Sequence, residues 1–353
     1  MELGGRGNLP ALISFIMKKW FFFLPFILGL MACGQDNSDT ENLFPELPSY
    51  FPDPVYPVDK FPVTQAGFDL GKKLFNDPIL SVDQSIACSN CHVKAVAFVD
   101  PQHALSLGVN ERHGIRNAPS IANMAFMKEF MWDGGIVHLD FVPPNAIENE
   151  LEMDEKLAHV VAKLNRSSVY PAMFKNVFSG IDTITAPLML KALSQYQLML
   201  VSKASKYDKV RQGKDQFSAD ESKGYEIFKS KCAACHSEPL FTNQGYFNNG
   251  LDVVFPDLGR ARITEDLGDL GKFKVPSLRN VALTAPYMHD ARFKSLMEVL
   301  NHYSDGVKDS PTLAAPLKSG SQLGIALTLA EKQSLIAFLG TLTDHELISD
   351  PRF

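Results

Sequence analysis

A five-residue pattern that occurs twice constrains the fold of this chain more than any other feature of its sequence. The first copy is Cys88-Ser-Asn-Cys91-His92 and the second is Cys232-Ala-Ala-Cys235-His236. A Cys-x-x-Cys-His run is the attachment sequence of a c-type haem, whose two vinyl groups bond to the two thiols. The histidine that follows then binds the iron as its proximal ligand. One copy would also suit a zinc or redox site, but two copies with the trailing histidine predict two covalent c-type haems.

The remaining cysteine belongs to a predicted export signal. The chain has five cysteines, so the two motifs leave only Cys33 and no pair for a disulfide or a zinc cluster. Residues 1–32 are predicted to be a lipoprotein signal peptide, because a basic start at Met17 precedes an apolar run too short to span a bilayer. Leu30-Met31-Ala32-Cys33 resembles a bacterial lipobox, which predicts cleavage before Cys33 and a lipid on its thiol. An uncleaved anchor and an ordinary signal peptide remain alternatives, and Met17 is an alternative start of the chain.

Charge and the haem motifs restrict the partners and the location of the protein. The formal net charge of −6 predicts no basic surface for nucleic acid. Bacteria attach c-type haems outside the cytoplasm, so the haem motifs agree with the export signal. We therefore expect a periplasmic protein that is anchored to a membrane by lipid. Residues 33–62 are polar and then rich in proline, which predicts an extended tether between the lipid and the folded part.

A repeated helical pattern indicates an internal duplication. Gly71-Lys-Lys-Leu74-Phe75 precedes the first haem motif, and Gly224-Tyr-Glu-Ile227-Phe228 precedes the second. In each copy the glycine and the apolar pair share one helical face. The glycine therefore either lets two helices cross closely or is simply tolerated. The capping box Ser218-Ala-Asp-Glu221 predicts where the second of these helices begins.

Each half of the chain is predicted to end in a helix of its own. Apolar residues at helical spacing over 189–200 close the first half, and the capping box Thr328-Leu-Ala-Glu331 starts the helix that closes the second. Strand patterns are scarce, so the predicted class is mostly α, with long irregular loops that pack on haem. We place the N-terminal domain at residues 63–205 and the C-terminal domain at residues 206–353, with the polar segment 203–217 as their linker.

The segments around the two haem motifs resemble the bacterial di-haem cytochrome c peroxidase and MauG family over nearly all of residues 65–345. Six blocks occur in the family's order, and they are Arg116-Asn117-Ala118-Pro119-Ser120, Phe130-Met-Trp132-Asp133-Gly134, Glu152-Met153, Asp257-Leu-Gly259-Arg260, Pro276-Ser-Leu-Arg279-Asn280 and Thr284-Ala-Pro286-Tyr287-Met-His289-Asp290. The resemblance implies two cytochrome-c-like helical domains, each with one covalent haem, and a calcium ion at their junction.

The resemblance implies that the first haem is the site of reaction with peroxide. His92 would then be its proximal ligand and Glu152 its distal acid–base residue. Cleaving the O–O bond needs an open sixth position on the iron and a group that moves a proton from the inner to the outer oxygen. From spacing alone, Glu152 is equally well a solvated carboxylate beside Glu148 and Glu150.

The first half departs from the family at the position of a distal ligand. Peroxidases of the family that rest in an inactive state carry a histidine directly after a Ser-x-Gly. Here Ser106-Leu-Gly108 is followed by Val109, so that histidine is absent from its position. We expect the first haem to be five-coordinate, or to hold only water, and to be ready without reductive activation. His103 and His113 are close enough in sequence to bind instead and remain alternatives.

The second haem is expected to store and relay electrons, with His236 as its proximal ligand. Its sixth ligand is a methionine in many of these peroxidases, but the matching position is occupied by Tyr303, which is the pattern of the MauG-like branch. A phenolate is a hard anionic ligand that stabilises the ferric state and lowers the potential. His302, Met288 and Met297 remain alternative ligands.

Other family positions are matched at the junction of the two halves. Trp132 matches a tryptophan between the haems that can relay an electron, and it is also a plausible core residue. Asn117, Thr284 and Pro286 match the calcium ligands, which supply oxygen atoms of the kind that this hard cation prefers.

Two arginines within the matched blocks are candidates to contact the haems. Arg260 and Arg279 are expected to pair with haem propionates. Considered alone, each would be a charge on the protein surface.

Three functions remain open at this point. The first is an exported peroxidase that reduces hydrogen peroxide to water with electrons from a small c-type cytochrome or a cupredoxin. The second is a MauG-like oxidase that acts on a protein or organic substrate. The third is a di-haem electron carrier without catalysis, which would have two six-coordinate haems. The resemblance also implies a homodimer, as many members of the family form.

Overall fold

The computed structural model describes residues 41–353 of the chain, and this part is predominantly helical. The helices are α1 (Gln65–Phe75), α2 (Cys88–Cys91), α3 (Pro143–Ile147), α4 (Leu157–Arg166), α5 (Tyr170–Val177), α6 (Ala186–Leu198), α7 (Lys206–Arg211), α8 (Ala219–Lys231), α9 (Ala261–Thr264), α10 (Leu296–Asn301), α11 (Leu329–Gly340) and α12 (His345–Ser349). The predicted mostly α class with long irregular segments is confirmed.

The described strands are short and form two antiparallel pairs. They are β1 (Tyr246–Phe247) with β2 (Phe273–Lys274), and β3 (Lys318–Ser319) with β4 (Gln322–Leu323). A π-helical turn at His302–Gly306 follows α10 directly. Between residues 41 and 353, no helix is long and apolar enough to span a bilayer. The predicted signal peptide 1–32, with Met17 and Cys33, lies outside the described residues.

Two helices of the second half, α8 and α11, begin at the capping boxes that the sequence predicts. Ser218 caps α8 and exchanges hydrogen bonds with Glu221, so the predicted capping box is confirmed. Thr328 and Glu331 do the same at the start of α11. Each box satisfies backbone N–H groups that have no partner within the helix. These starts are therefore set by residues within one helical turn.

The two glycines of the internal repeat lie at helix crossings. Gly71 in α1 packs on α6, where an added Cβ would overlap the carbonyl oxygen of Ala192. Gly224 in α8 packs on α11, where an added Cβ would overlap the carbonyl oxygen of Ser334. A side chain at either glycine would force the paired helices apart. Close crossing, rather than mere tolerance of glycine, explains both positions.

The two larger hydrophobic cores of the described residues lie mainly in different halves, which we define as residues 41–205 and 206–353. The first core packs α1, α4, α5 and α6 around side chains such as Leu193, and it also includes Leu240 and Leu347 from the second half. The second core packs α7, α8 and α11 around Phe228 and Phe338, and a third, small cluster also lies in the second half. The division into two domains stays a prediction, and two main cores agree with it.

Residues 43–58, which we name the N-terminal strap, are packed against the body of the protein. Tyr56 is buried in the first core, and the hydroxyl group of Tyr50 donates to Asp208 of the second half at 2.9 Å. The predicted extended tether over residues 33–62 is therefore wrong for the strap. Aromatic and aliphatic side chains stand between its prolines, and burying them removes apolar surface from water.

The predicted linker 203–217 contains a helix and is not a loose connection. Ser205 caps α7 by exchanging hydrogen bonds with Asp208. Tyr207 is fully buried in the second core, and Asp208 is fully buried in an ion pair with Arg279. The polar residues that indicated a linker are polar because they form a helix cap and a buried ion pair.

The C-terminal residues return to the first half. The ring of Phe353 packs against Phe68 and Tyr196, with centroid distances of 5.9 and 6.1 Å. The ammonium group of Lys94, two residues after the first haem motif, donates to the carbonyl oxygens of Asp350 and Phe353 at 2.8 and 3.0 Å. The tail thus contacts the first half, whereas the strap reaches from the first half to the second.

Candidate haem sites and the junction between them

The two proximal histidines are held in the same way. Nδ1 of His92 lies 2.9 Å from the carbonyl oxygen of Phe98, and Nδ1 of His236 lies 3.1 Å from that of Phe241. When Nδ1 donates to a carbonyl, Nε2 carries the lone pair and is free to bind a metal. Burial lowers the pKa of both imidazoles, which favours the neutral form that a ligand needs.

The four motif cysteines are free, partly buried thiols. Burial raises the pKa of Cys88 to about 12 and that of Cys91 and Cys232 to about 11. The described residues contain no cluster of three or more His, Cys, Asp or Glu side chains that would hold a metal ion. Two thiols followed directly by an imidazole are the donor set of a covalent c-type haem, and each motif presents that set.

Glu152 lies beside the first haem motif. Its charge raises the pKa of both Cys88 and Cys91, so its carboxyl group is close to their thiols. Burial raises the pKa of Glu152 itself, and Nδ2 of Asn149 donates to its Oε1 at 2.7 Å. By contrast, Glu150 is exposed. Glu152 is thus a partly buried carboxyl group and not a solvated one.

The residues at the predicted distal position of the first site pack directly on Glu152. The backbone N–H of Val109 donates to the carbonyl oxygen of Glu152 at 2.8 Å, and the Val109 side chain is buried. An added Cβ on Gly108 would overlap the backbone of Glu152, so this close approach requires glycine. Two residues earlier, the buried hydroxyl group of Ser106 has no hydrogen-bond partner within the described chain. Such an orphaned polar atom is expected where a bound group completes the site.

The two alternative distal ligands of the first site have different surroundings. Nδ1 of His103 lies 3.2 Å from a carboxylate oxygen of Asp100. His113 is exposed to solvent, and its backbone forms an isolated β-bridge with Leu107, next to Gly108 and Val109. The absence of a histidine ligand at the first site therefore stays a prediction.

Tyr303 lies beside the second haem motif. It belongs to the π-helical turn, and the charges of Cys235 and Cys232 raise the pKa of its hydroxyl group, as burial does more strongly. A π-turn inserts one residue into a helix and is frequent at functional sites. Nε2 of His302 lies 3.0 Å from a carbonyl oxygen, that of Asn249, and His302 is buried. Tyr303 is therefore the better placed of the two neighbouring candidates.

Comparison with known proteins places the chain in a family. The family model described as di-haem cytochrome c peroxidase matches residues 65–216. The methylamine utilization protein MauG of Methylorubrum extorquens is 33% identical over 287 residues, which cover 80% of this chain and 79% of that protein. The chain belongs to the di-haem cytochrome c peroxidase and MauG family. The resemblance found in the sequence blocks is confirmed.

Other relatives represent both branches of the family. The cytochrome c551 peroxidase of Nitrosomonas europaea is 32% identical over 303 residues, which cover 83% of this chain and 85% of that protein. The crystal structure of a MauG-like protein associated with microbial copper homeostasis is 34% identical with a TM-score of 0.79. The match covers 87% of this chain and 97% of that structure. The family therefore implies two c-type haems, and both peroxidases and MauG proteins are similar to this chain.

Trp132 of this di-haem family member lies at the junction of the two halves. Its indole Nε1 donates to the carbonyl oxygen of Asn117 at 2.9 Å, and its own carbonyl accepts from the backbone N–H of Lys274 at 2.8 Å. Asn117 in turn donates from its backbone to the carbonyl oxygen of His289 at 2.7 Å. Trp132 is thus connected to the second half directly, through Lys274, and indirectly, through Asn117 and His289.

The predicted calcium ligands are brought together in part. Nδ2 of the Asn117 side chain donates to the carbonyl oxygen of Pro286 at 2.7 Å and to that of Met288 at 3.2 Å. The hydroxyl group of Thr284 instead donates to Val281 within its own turn at 3.4 Å. An amide oxygen and backbone carbonyls are ligands that suit calcium. The two carbonyl oxygens fit such a site once the Asn117 amide is turned to present Oδ1 instead of Nδ2, and Met288 is a member that the sequence did not indicate.

The two arginines predicted to contact propionates make extensive contacts within the protein. Arg279 is buried, and its two terminal nitrogens each donate to Asp208 at 2.9 Å. The guanidinium group of Arg260 donates to the carbonyl oxygens of Asp133 and Gly134, 2.9 and 3.1 Å away. The surface-charge alternative is therefore wrong for Arg279. Pairing of either residue with a propionate stays a prediction.

An ionic network that the sequence did not predict also joins the two halves. Arg116 donates two hydrogen bonds to Asp257 at 2.7 and 2.8 Å and one to Asp133 at 2.6 Å. Asp133 is fully buried and also pairs with Arg262 at 2.8 Å. These arginines hold the pKa of the Asp133 carboxyl group below its usual value. Arg116, Asp133 and Asp257 all belong to the sequence blocks that resemble the family. Their place in those blocks was the one feature of the sequence that could have indicated this network.

Proposed function

We propose that this protein reduces hydrogen peroxide to water with two electrons, taken one at a time from a small c-type cytochrome or a cupredoxin. Two c-type haems, attached through the two Cys-x-x-Cys-His motifs and ligated by His92 and His236, supply the iron chemistry when bound. The observation that carries the proposal is a partly buried carboxyl group, Glu152, whose backbone binds an apolar residue, Val109, near the first motif.

Glu152 is the proposed proton-transfer group. As a base, its carboxylate accepts the proton of the peroxide oxygen nearer the iron, and as an acid it returns that proton to the leaving oxygen. Burial raises the pKa of Glu152, which makes it a stronger base than an exposed glutamate. The hydrogen bond from Asn149 holds Oε1 in one orientation.

Val109 keeps the first site open in this proposal. A valine side chain has no atom that can bind iron, and Val109 is buried with its backbone N–H bound to the carbonyl oxygen of Glu152. The first haem is then ready for peroxide without prior release of a ligand. This property argues against a simple electron carrier.

The second site and the junction form the proposed electron route. Tyr303 is the proposed sixth ligand, and it would keep the second haem six-coordinate with little rearrangement on reduction. Trp132, with hydrogen bonds to both halves, is the proposed relay between the two sites. Arg260 and Arg279 remain proposed partners of the propionates.

A MauG-like oxidase is the second candidate, and the position of Tyr303 favours it. A phenolate stabilises ferric and more oxidised states, which suits the oxidation of a protein or organic substrate better than rapid return to the ferrous state. The likeness to MauG proteins, at 33% identity for the one from Methylorubrum extorquens, supports this candidate as well.

The remaining parts of the proposal concern location and assembly. We propose a periplasmic protein that is held at a membrane by a lipid on Cys33 and is free to form a homodimer. We also propose calcium at the oxygens of Asn117, Pro286 and Met288, where it would link the two halves.

Stopped-flow mixing of the oxidised protein with hydrogen peroxide tests the proposal. One haem should be high-spin before mixing, and both haem spectra should change after it. Reduced cytochrome c should then be oxidised in a steady-state assay. A change in both spectra without oxidation of cytochrome c or of a reduced cupredoxin would favour the oxidase. Two low-spin haems that do not respond to peroxide would leave an electron carrier.

A further inference from the structure

Three side chains of the second half, His302, Met288 and Tyr303, are of types that can bind iron, and all three lie close to one residue, Asn249. The carbonyl oxygen of Asn249 lies 3.0 Å from Nε2 of His302. Its side-chain Nδ2 donates to the sulfur atom of Met288 at 3.4 Å. Burial raises the pKa of the Tyr303 hydroxyl group, and a hydrogen bond with the same side-chain amide lowers it, so the amide lies beside that hydroxyl group.

The contact with Asn249 occupies one of the two ring nitrogens of His302, Nε2. When Nε2 donates to the carbonyl of Asn249, the remaining lone pair is on Nδ1. Nδ1 faces Gly306 at the end of the same π-helical turn, where an added Cβ would lie 3.1 Å from it. The ring is buried beside Phe293, with a centroid distance of 5.5 Å. His302 would have to break this packing to reach the iron.

Met288 is restrained at both its backbone and its sulfur. Its φ angle of 75° is unusual for a residue with a side chain. Its carbonyl oxygen meets the amide of Asn117 at the junction of the halves. With the backbone held there, the hydrogen bond from Asn249 determines where the thioether points. Thioether sulfur is only a weak acceptor, so removal of the amide would release it.

Asn249 is itself rigidly placed. The side chain of Asn248 donates to Ser310 and Thr312, both at 2.9 Å. The carbonyl oxygen of Gly250 accepts from the backbone N–H of Lys308 at 2.9 Å. The loop is thus fixed on both sides of Asn249, and a fixed loop can hold three mobile side chains in place.

We propose that Asn249 is the positioning residue that selects Tyr303 as the sixth ligand of the second haem. Its backbone carbonyl holds His302, its side-chain amide holds Met288, and the same amide orients the Tyr303 hydroxyl group. The proposal rests on the proposed function in one respect, namely the ligation of the second iron by Tyr303. It adds that the ligand is chosen by a residue that does not bind the metal.

The test compares Asn249→Leu and Asn249→Asp with the parent holoprotein. Both variants keep the backbone carbonyl of residue 249 and lose the side-chain NH₂ group. Asn249→Asp also keeps the size of the side chain. Resonance Raman and electron paramagnetic resonance spectra identify the axial ligand, and a spectroelectrochemical titration gives the midpoint potential. The expected result in both variants is loss of the tyrosinate signature, appearance of methionine ligation and an upward shift of the second midpoint potential. The spectrum of the first haem should stay unchanged, which also shows that the variants fold.

The double variant Asn249→Leu/Met288→Leu tests the mechanism of selection. Without the competing sulfur, the tyrosinate signature should return, a rescue that a merely structural role of Asn249 does not predict. Tyrosinate ligation and an unshifted potential in both single variants would overturn the role of Asn249. If Tyr303→Phe leaves the parent spectrum unchanged, the premise of tyrosine ligation fails instead. Absence of peroxide turnover with intact tyrosinate ligation would count against the proposed function and leave the role of Asn249 standing.

Discussion

The two Cys-x-x-Cys-His regions are built alike around the proximal histidine and differ in the residues that meet them from elsewhere in the chain. In both, Nδ1 of the histidine faces a carbonyl oxygen that follows within six residues. In both, the preceding helix crosses a closing helix at a glycine. The first region lies near Glu152, whose backbone binds Val109, whereas the second lies near Tyr303, which has Asn249 beside it.

This difference shows where the division of labour between the two halves would come from. In the proposed function the duplicated part would supply attachment and proximal ligation, which are the same chemistry in both halves. The parts that are not duplicated would supply the proposed proton-transfer group, Glu152, in one half and the proposed iron ligand, Tyr303, in the other. Reaction with peroxide and storage of electrons would thus be assigned by the distal residues alone.

The largest effect is expected from removing the carboxyl group of the first region. Glu152→Gln keeps the size of the side chain and removes the base, so the rate of reaction with peroxide should fall by roughly 10²- to 10⁴-fold. Stopped-flow kinetics measures this rate directly. Glu150→Gln is the matched control, because Glu150 is an exposed carboxylate two residues away. Equal rates in the two variants would remove Glu152 from the mechanism.

The pH dependence of the same reaction gives a second check on Glu152. The proposed step needs the carboxylate, so the rate should fall as the pH falls through the pKa of Glu152. Burial raises that pKa, so the midpoint of the decline should lie above the ordinary glutamate value of about 4.3. The decline should be absent from Glu152→Gln. A midpoint at the ordinary value would indicate a solvated carboxylate.

The next largest effect on the rate with peroxide is expected from adding a histidine ligand to the first region. Val109→His introduces a nitrogen ligand at the buried position beside Glu152. If this ligand leaves the open state about 1–10% populated, the rate with peroxide falls by roughly 10- to 100-fold. Electron paramagnetic resonance should show the high-spin haem becoming low-spin. Val109→Ile is the control, and it should keep the high-spin signal.

The shared part of the two regions can be tested through its helix crossings. Gly71→Ala and Gly224→Ala each place a methyl group against a backbone carbonyl of the partner helix. Overpacking of this kind should cost about 1–3 kcal/mol of stability. Gly340→Ala is the control, because Gly340 lies in α11 with no atom near its added Cβ, and it should be neutral or slightly stabilising. Denaturant unfolding measures the free energy of unfolding of all three variants. Equal values for the three would show that the paired helices can move apart without loss of stability.

The smallest effect is expected at the junction. The ammonium group of Lys274 donates to the carbonyl oxygen of Glu129 at 2.7 Å, and burial lowers its pKa to about 8. Below that pH the folded protein holds a buried charge, and the penalty is relieved as the pH rises from 8 toward the unfolded value of about 10.4. Lys274→Met should therefore be more stable at pH 7 by about 1–2 kcal/mol and lack this rise. A parent protein whose stability falls over the same range would contradict the prediction.

Features that depend on neighbours in the chain were predictable from the residues. The haem motifs, the proximal histidines, the capping boxes of α8 and α11 and the two closing helices all follow from spacings within a few helical turns. The roles assigned to Glu152 and Tyr303 came from the family resemblance, and they remain proposals that the observed positions support.

Features that depend on residues far apart in the chain were not predictable. The strap and α7 were predicted to be a tether and a linker, whereas their polar residues pair with residues far away in the sequence. Asp208 of α7 binds both Tyr50 of the strap and Arg279. The network of Arg116, Asp133 and Asp257 and the convergence on Asn249 are equally non-local. Local sequence can specify a ligand and the turn that carries it. Which side chains share a buried site depends on the packing of the whole chain, because burial and pairing are properties of the folded state.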